Sequence, residues 1–209
     1  MRITLTSTGG KVLASTVLLG AAASVAGLGT FGTFTSTTSA SAAVASGTVK
    51  IDVGTVNTAA NRLSVAATGL VPGDTVSRAV TLTNTGDQAL AGIGLTTAAT
   101  TSSKLDTDAT LGLQLLVEAC SAAWNESGTA TTGYTYICPS TATRSTVLAS
   151  RPVIGSTPAL NNLTALTAGK ADNLVVTMTL PTGADNTFQA LNSTISFSFT
   201  GTQRGATAR

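Results

Sequence analysis

Residues 174–180 read Leu174-Val175-Val176-Thr177-Met178-Thr179-Leu180. Leu174, Val176, Met178 and Leu180 fall on one face of an extended chain, Thr177 and Thr179 on the other, which is the period-2 pattern of a half-buried strand. The same alternation recurs outward from this stretch. Residues 111–119 (LGLQLLVEA) put Leu111, Leu113, Leu115 and Val117 on one face, and residues 194–200 alternate Ile195, Phe197 and Phe199 with Ser196, Ser198 and Thr200. Residues 47–53, 62–66, 76–83 and 88–97 are further strand candidates. Between the last two lies Asn84-Thr85-Gly86-Asp87, which reads as a hairpin turn. At least seven short strands separated by turns imply an all-β domain. Two amphipathic sheets hide each other's apolar faces, so the expected form is a jelly-roll-like antiparallel β-sandwich. Residues 98–110 and 121–136 read as loops. A short helix, if there is one in the domain, is expected within 140–170, limited by Pro152 and Pro158.

Composition sets bounds on function. Of 209 residues, 43% are hydrophobic but only 10% are charged and 4% aromatic, so a core of small aliphatic side chains is available. Arg2 and Lys11 are the charges of the first thirty-two residues, and the remainder is formally neutral, with nine basic and nine acidic residues. No clustered basic face for nucleic acid is present.

The amino terminus has the form of an export signal: two basic residues within 1–11, then an uncharged, largely apolar run from Val12 to Phe34. The Ala-rich stretch 16–26 is its helical part. With no basic stop-transfer cluster behind it, a cleaved signal is favoured over an uncleaved anchor, and membrane contact is expected only through the uncleaved signal. Two cleavage sites compete, Thr30-Phe31-Gly32 and Ala40-Ser41-Ala42.

Export agrees with the cysteines. Cys120 and Cys138 are the only two, and an even count in a secreted chain suggests one disulfide, worth about 3 kcal/mol for a loop of this length. The sequence contains no histidine. That removes the Ser-His-Asp triad, the Cys-His dyad and the HExxH zinc motif together. Asp106 and Asp108 beside Lys104 have the residue types of a weak Ca²⁺ loop but read better as a solvated loop. Glu118 and Glu126 would serve as a glycosidase pair only if the fold joined them, and a surface role is favoured. Trp124, Tyr134 and Tyr136 form either a contact patch or packing for the loop between the cysteines; packing is favoured. No catalytic residue, metal or cofactor is expected.

Four segments in order resemble the TasA/camelysin family of Gram-positive secreted proteins. Gly29-Thr30-Phe31-Gly32-Thr33-Phe34 is similar to that family's G-T-[WF]-A-x-F, and Ala45-Ser46-Gly47-Thr48-Val49-Lys50-Ile51 to its first strand, A-S-G-T-L-x-L. Leu70-Val71-Pro72-Gly73-Asp74, with Leu82-Thr83-Asn84-Thr85-Gly86 downstream, is similar to L-x-P-G-D and N-x-G. Ile195-Ser196-Phe197-Ser198-Phe199 with Thr202-Gln203 resembles the last strand. The resemblance implies a jelly-roll-like sandwich, processing by a SipW-type signal peptidase and, for fibre members, a homopolymer in which an extended N-terminal segment completes the sheet of the next subunit. Some relatives carry a metallopeptidase label; without histidine, this chain offers no motif for it.

These readings divide the chain into a signal peptide (1–32), an extended arm (33–46), a β-sandwich (47–200) and a flexible tail (201–209). The arm TFTSTTSASAAVAS is uncharged and lacks proline, which suits pairing along an open sheet edge. Phe34, Thr35 and Val44 are its candidate strand residues. The expected role is structural, at the cell surface or in an extracellular or biofilm matrix; a monomeric adhesin or a camelysin-like endopeptidase are the alternatives. Cleavage between Gly32 and Thr33 keeps the arm, whereas cleavage after Ala42 removes most of it. N-terminal sequencing of the exported protein should therefore read Thr33-Phe34-Thr35; a start at Ala43 would point to an ordinary secreted monomer.

Overall fold

The computed structural model describes residues 48–63, 65–156 and 158–205, with backbone alone at 65–68. The signal, the arm and their cleavage site (Gly32, Thr33, Phe34, Thr35 and Val44 included) lie outside the described residues. Ten strands run through the rest: β1 Ile51–Val53, β2 Val65–Thr68, β3 Thr75–Asn84, β4 Leu90–Thr101, β5 Gln114–Cys120, β6 Asn125–Thr129, β7 Gly133–Ile137, β8 Arg144–Pro152, β9 Ala171–Thr179 and β10 Asn192–Gln203.

All strand pairings are antiparallel. One sheet has the order β1-β3-β9-β5-β8, a second β2-β10-β4, and β6 and β7 form a separate hairpin. From β2 to β5 the chain alternates between the two large sheets. After β8 it makes a rudimentary strand along β4: the Leu95 and Thr97 N–H groups donate to Pro158 O and Gly155 O, and Leu160 N–H donates to Ile93 O. With this segment the two sheets take the strand order of a jelly roll, and β1 is an added edge beside β3. Among the described residues no helix is long and apolar enough to cross a membrane.

Alternating side chains from both sheets meet in one core. Leu82 of β3, Leu95 of β4, Leu115 and Val117 of β5, Val147 of β8 and Leu174 of β9 are fully buried in it. Every apolar face read from 174–180 is inside. Leu113, Leu115 and Val117 are buried as well, with Leu111 packed at the margin. Ile195 is buried, while Phe197 and Phe199 are only partly covered.

Several local expectations are corrected. Asn84-Thr85-Gly86-Asp87 is not a hairpin, because β3 and β4 lie in different sheets; it is a corner between them. Asn84 is fully buried there. Its Nδ2 donates to Gln88 O, and its Oδ1 accepts from Gly86 N–H. The N–H groups of Thr85 and Gly86 donate to Lys50 O, and that of Asp87 to Thr48 O. A Cβ at Gly86 would lie 2.3 Å from Thr48 O, so only glycine admits residues 48–50 to this corner. Residues 98–110 are not a plain loop: β4 continues to Thr101, and a one-turn helix, Lys104–Thr107, follows. Ser103 and Asp106 form its capping box. Residues 121–136 contain most of the β6–β7 hairpin. Among the described residues of 140–170 there is no helix; β8 occupies 144–152, with Pro152 at the end of an edge strand where proline is tolerated. β10 extends to Gln203, so the first residues of the expected flexible tail belong to the sheet.

Because Leu82 joins the two sheets' core, Leu82→Ala should lower the unfolding free energy by about 3 kcal/mol. This is read as a lower urea midpoint with an unchanged slope; a loss below about 1 kcal/mol would contradict a shared core at this position.

Candidate functional site

The site begins with unequal pairing. β10 pairs with β4 from Thr194 to Gln203, but with β2 only from Asn192 to Ile195. Among the described residues no strand pairs with the far side of Ser196–Gln203. Eight extended residues present about 26 Å of open edge. A groove of about 380 Å³ lies beside this edge, lined by Ile51, Val53, Val56, Asn61, Leu63, Phe197 and Phe199. Phe197 and Phe199 are half-buried beside it, beyond the stretch Asn192–Ile195 that pairs with β2.

The opposite rim is built by residues 53–63. After β1 the chain leaves β3 and returns to it, with Thr81 N–H donating to Ala60 O and Arg62 N–H to Ala79 O, each at 2.8 Å. The excursion between is stitched internally: Thr58 N–H donates to Thr55 O, Asn61 N–H to Thr58 O, and Asn61 Nδ2 to Val53 O. Gly54 starts it with φ 37°, and a Cβ there would stand 2.6 Å from Ala60 O. Val56 at its crest is 61% exposed.

Behind the rim sits the hairpin. Cys120 and Cys138 are joined by a disulfide, Cα–Cα 5.7 Å, at the base of β6 and β7. Arg62 reaches from the rim to the hairpin: its Nε and Nη2 donate to the two carboxylate oxygens of Glu126, at 3.2 and 2.8 Å, and its Nη1 donates to Asn57 O. Tyr136 Oη donates to the same carboxylate at 3.0 Å. The Arg62 guanidinium lies 4.6 Å from the Tyr134 ring centre and that of Arg78 lies 5.4 Å from it. Trp124 Nε1 donates to Asn173 O of β9 at 2.9 Å. The three aromatics of the hairpin region therefore pack against the sandwich, as favoured from sequence. The hydrogen bond from Arg62, joined by that from Tyr136, holds the Glu126 carboxyl below the usual range despite burial. Burial, with Glu126 alongside, pushes the Tyr136 phenol up to about 12.

The candidate carboxylates are not brought together for chemistry. Glu118 forms a bidentate pair with Arg144 on β8, and Glu126 is held by Arg62. Burial raises Asp106, but hydrogen bonds from Ser193, Ser103 and Ser102 outweigh it and hold its pKa low. Asp108 accepts from the N–H groups of Thr110 and Leu111. All nine carboxylates of the chain lie among the described residues, and each accepts a hydrogen bond from the protein itself. Among the described residues no three acidic or cysteine side chains cluster as metal ligands. Sequence reasoning missed both the groove and Arg62. A signal for the latter was present, since Arg62 is the one charged residue between Val53 and Gly73.

The low pKa of Glu126 has a definite sign in stability. Its contribution is complete above the unfolded value of about 4.3 and is lost as pH falls through the lower folded value. The acid limb of a denaturant-midpoint profile should thus be shallower in Glu126→Gln than in the wild type, with the curves converging at low pH. Parallel curves would show that the pair contributes nothing differential.

Among curated proteins none matches the chain. Residues 9–208 match the model of the camelysin metallo-endopeptidase family, a span that takes in every described strand. The chain belongs to that family.

Proposed function

We propose that this family member is a secreted structural protein of the cell surface or extracellular matrix, which self-assembles by strand exchange. In this reading the arm 33–46 of one copy pairs with the open half of β10 on the next, and Phe34, Thr35 and Val44 belong to the inserted strand. The observation that supports it is the Ser196–Gln203 edge, unpaired among the described residues, beside an apolar groove. Strand addition draws affinity from main-chain hydrogen bonds and specificity from alternate side chains. Fourteen arm residues extend over about 46 Å, more than the open edge requires, so several remain to bridge the copies. The two surfaces are different, so the contact is heterologous and propagates as an open filament. The partner is a second copy of the chain, with a SipW-type signal peptidase acting during export.

The family description implies a metal and peptide-bond hydrolysis. The residues present do not fit a metal centre: there is no histidine, and among the described residues no three acidic or cysteine side chains cluster. We read this member as non-enzymatic.

Deleting residues 33–46 should abolish filaments in electron micrographs while the circular dichroism spectrum stays that of the folded sandwich. Filaments that persist would sink the strand-exchange reading. A protein that stays monomeric at every concentration in light scattering, arm intact, would favour the adhesin alternative. Chelator-sensitive cleavage of casein by the purified protein would overturn the non-enzymatic reading.

A further inference from the structure

Residues 61–63 alternate like a strand, and their neighbours divide accordingly. Asn61 and Leu63 line the groove beside β10. Arg62 points the other way, onto Glu126 of β6 and the carbonyl of Asn57. The Arg62 side chain thus ties the rim of the groove to the hairpin. Apart from it, the rim returns to β3 through the two backbone bonds at Ala60 and Arg62.

The hairpin has little else of its own. Its strands are five residues each, mostly exposed, and none of their side chains is in the buried core. A two-stranded hairpin of this kind is marginal in water. It stays on the sandwich through the Trp124–Asn173 bond, the Arg62–Glu126–Tyr136 cluster, the two guanidinium groups flanking Tyr134, and the disulfide at its base. The disulfide is the one covalent constraint, and it lies at the surface end of β5: Cys120 is buried but Cys138 is partly exposed. Opening it removes the covalent tie between the two legs, which stay linked through Ser121 N–H to Thr143 O and Thr143 N–H to Ser121 Oγ. The Glu126 carboxylate is then held opposite Arg62 by the non-covalent contacts alone.

We propose that the disulfide-stapled hairpin β6–β7 is a redox-sensitive latch that, through Arg62, fixes the rim of the groove beside β10 and so controls whether the groove accepts a strand. The second half of this proposal rests on the strand-exchange reading; the first half does not. The reductant is an external dithiol. Its two thiols are oxidised to one disulfide, while Cys120–Cys138 takes up two electrons and two protons and becomes two thiols.

Hydrogen exchange on the full chain tests the latch independently of assembly. After treatment with dithiothreitol, the amides of Arg62 and Thr81 should exchange about tenfold faster, while those of Leu174–Met178 in the centre of the sheet keep their protection. Arg62→Ala, with the disulfide intact, should speed the same two amides. Unchanged exchange at Arg62 and Thr81 in both cases would overturn the latch. Filament growth followed by light scattering tests the control: it should slow roughly tenfold on reduction or in Arg62→Ala, in proportion to the lost rim. Growth at the wild-type rate in spite of faster rim exchange would overturn control of the groove. If no filaments form under any condition, the strand-exchange reading and with it the control fall, while exchange still decides the latch.

Discussion

The double pairing of β9 is the constraint on which the rest of the structure depends. It is bonded to β3 from Ala171 to Thr179 and to β5 from Asn173 to Thr179. Its register is fixed because Leu174, Val176 and Met178 are buried on one face, and a slip of one residue would turn Thr177 and Thr179 into the core. Everything around the groove inherits that register. Cys120 is placed opposite Asn173, so the hairpin leaves β5 directly above β9, where Trp124 finds the Asn173 carbonyl. On the other side β3 carries Ala79 and Thr81, which receive residues 60–62. The Arg62–Glu126 pair then closes a ring: β9, β3, rim, hairpin and back to β9.

Magnitudes separate what stabilises this arrangement from what positions it. The core of both sheets contains Leu, Val, Ile and Met side chains whose burial is worth about 1.5–3 kcal/mol each. The Arg62–Glu126 pair retains about a fifth of its side-chain exposure, and partly exposed ion pairs contribute about 1 kcal/mol or less. The pair therefore cannot decide whether the domain folds. It decides where residues 54–63 lie once the domain has folded, because the bidentate geometry and the Asn57 contact fix direction as well as distance. The Glu118–Arg144 pair is different in kind, since it joins neighbouring strands that are already paired.

Strands that bury one apolar face were legible in the sequence; features that arise from the meeting of separate segments were not. Residues 174–180, 111–119 and 194–200 declare themselves by alternation. The corner at Asn84–Asp87 declares a turn, but nothing local says that its two strands enter different sheets. That is decided by residues 48–50 occupying the space beside Gly86. The strands NESGT and GYTYI have no continuous apolar face, because a disulfide and aromatic edges hold them instead of a core. The capping box Ser103-x-x-Asp106 was written in the sequence, yet the helix is one turn long and carries no periodicity to confirm it. Of the candidate site, the disulfide and the last strand could be read. The groove could not, since it depends on β2 pairing, among the described residues, with only the first four residues of a twelve-residue strand.

The two edges beside that groove are treated in opposite ways. Sheet edges are ordinarily blunted by charge, proline or a bulge. The β1 edge follows this rule: it has three residues, includes Asp52, and is interrupted by the excursion from Gly54 to Ala59. The β10 edge breaks it. Ser196–Gln203 reads SFSFTGTQ, with no charge, no proline and no irregularity before Thr202. Among the described residues this arrangement is costly, because Phe197 and Phe199 keep apolar surface in water at about 25 cal/mol per Å² and no described strand pairs with the open half. A segment that extends along β10 removes both deficits at once, and it must be uncharged to do so without burying a charge against the two phenylalanines. The arm 33–46 meets that condition, as the charged segments of the chain do not. On the strand-exchange reading, the chemistry of the groove thus sets the kind of segment that would suit it before any question of where that segment comes from.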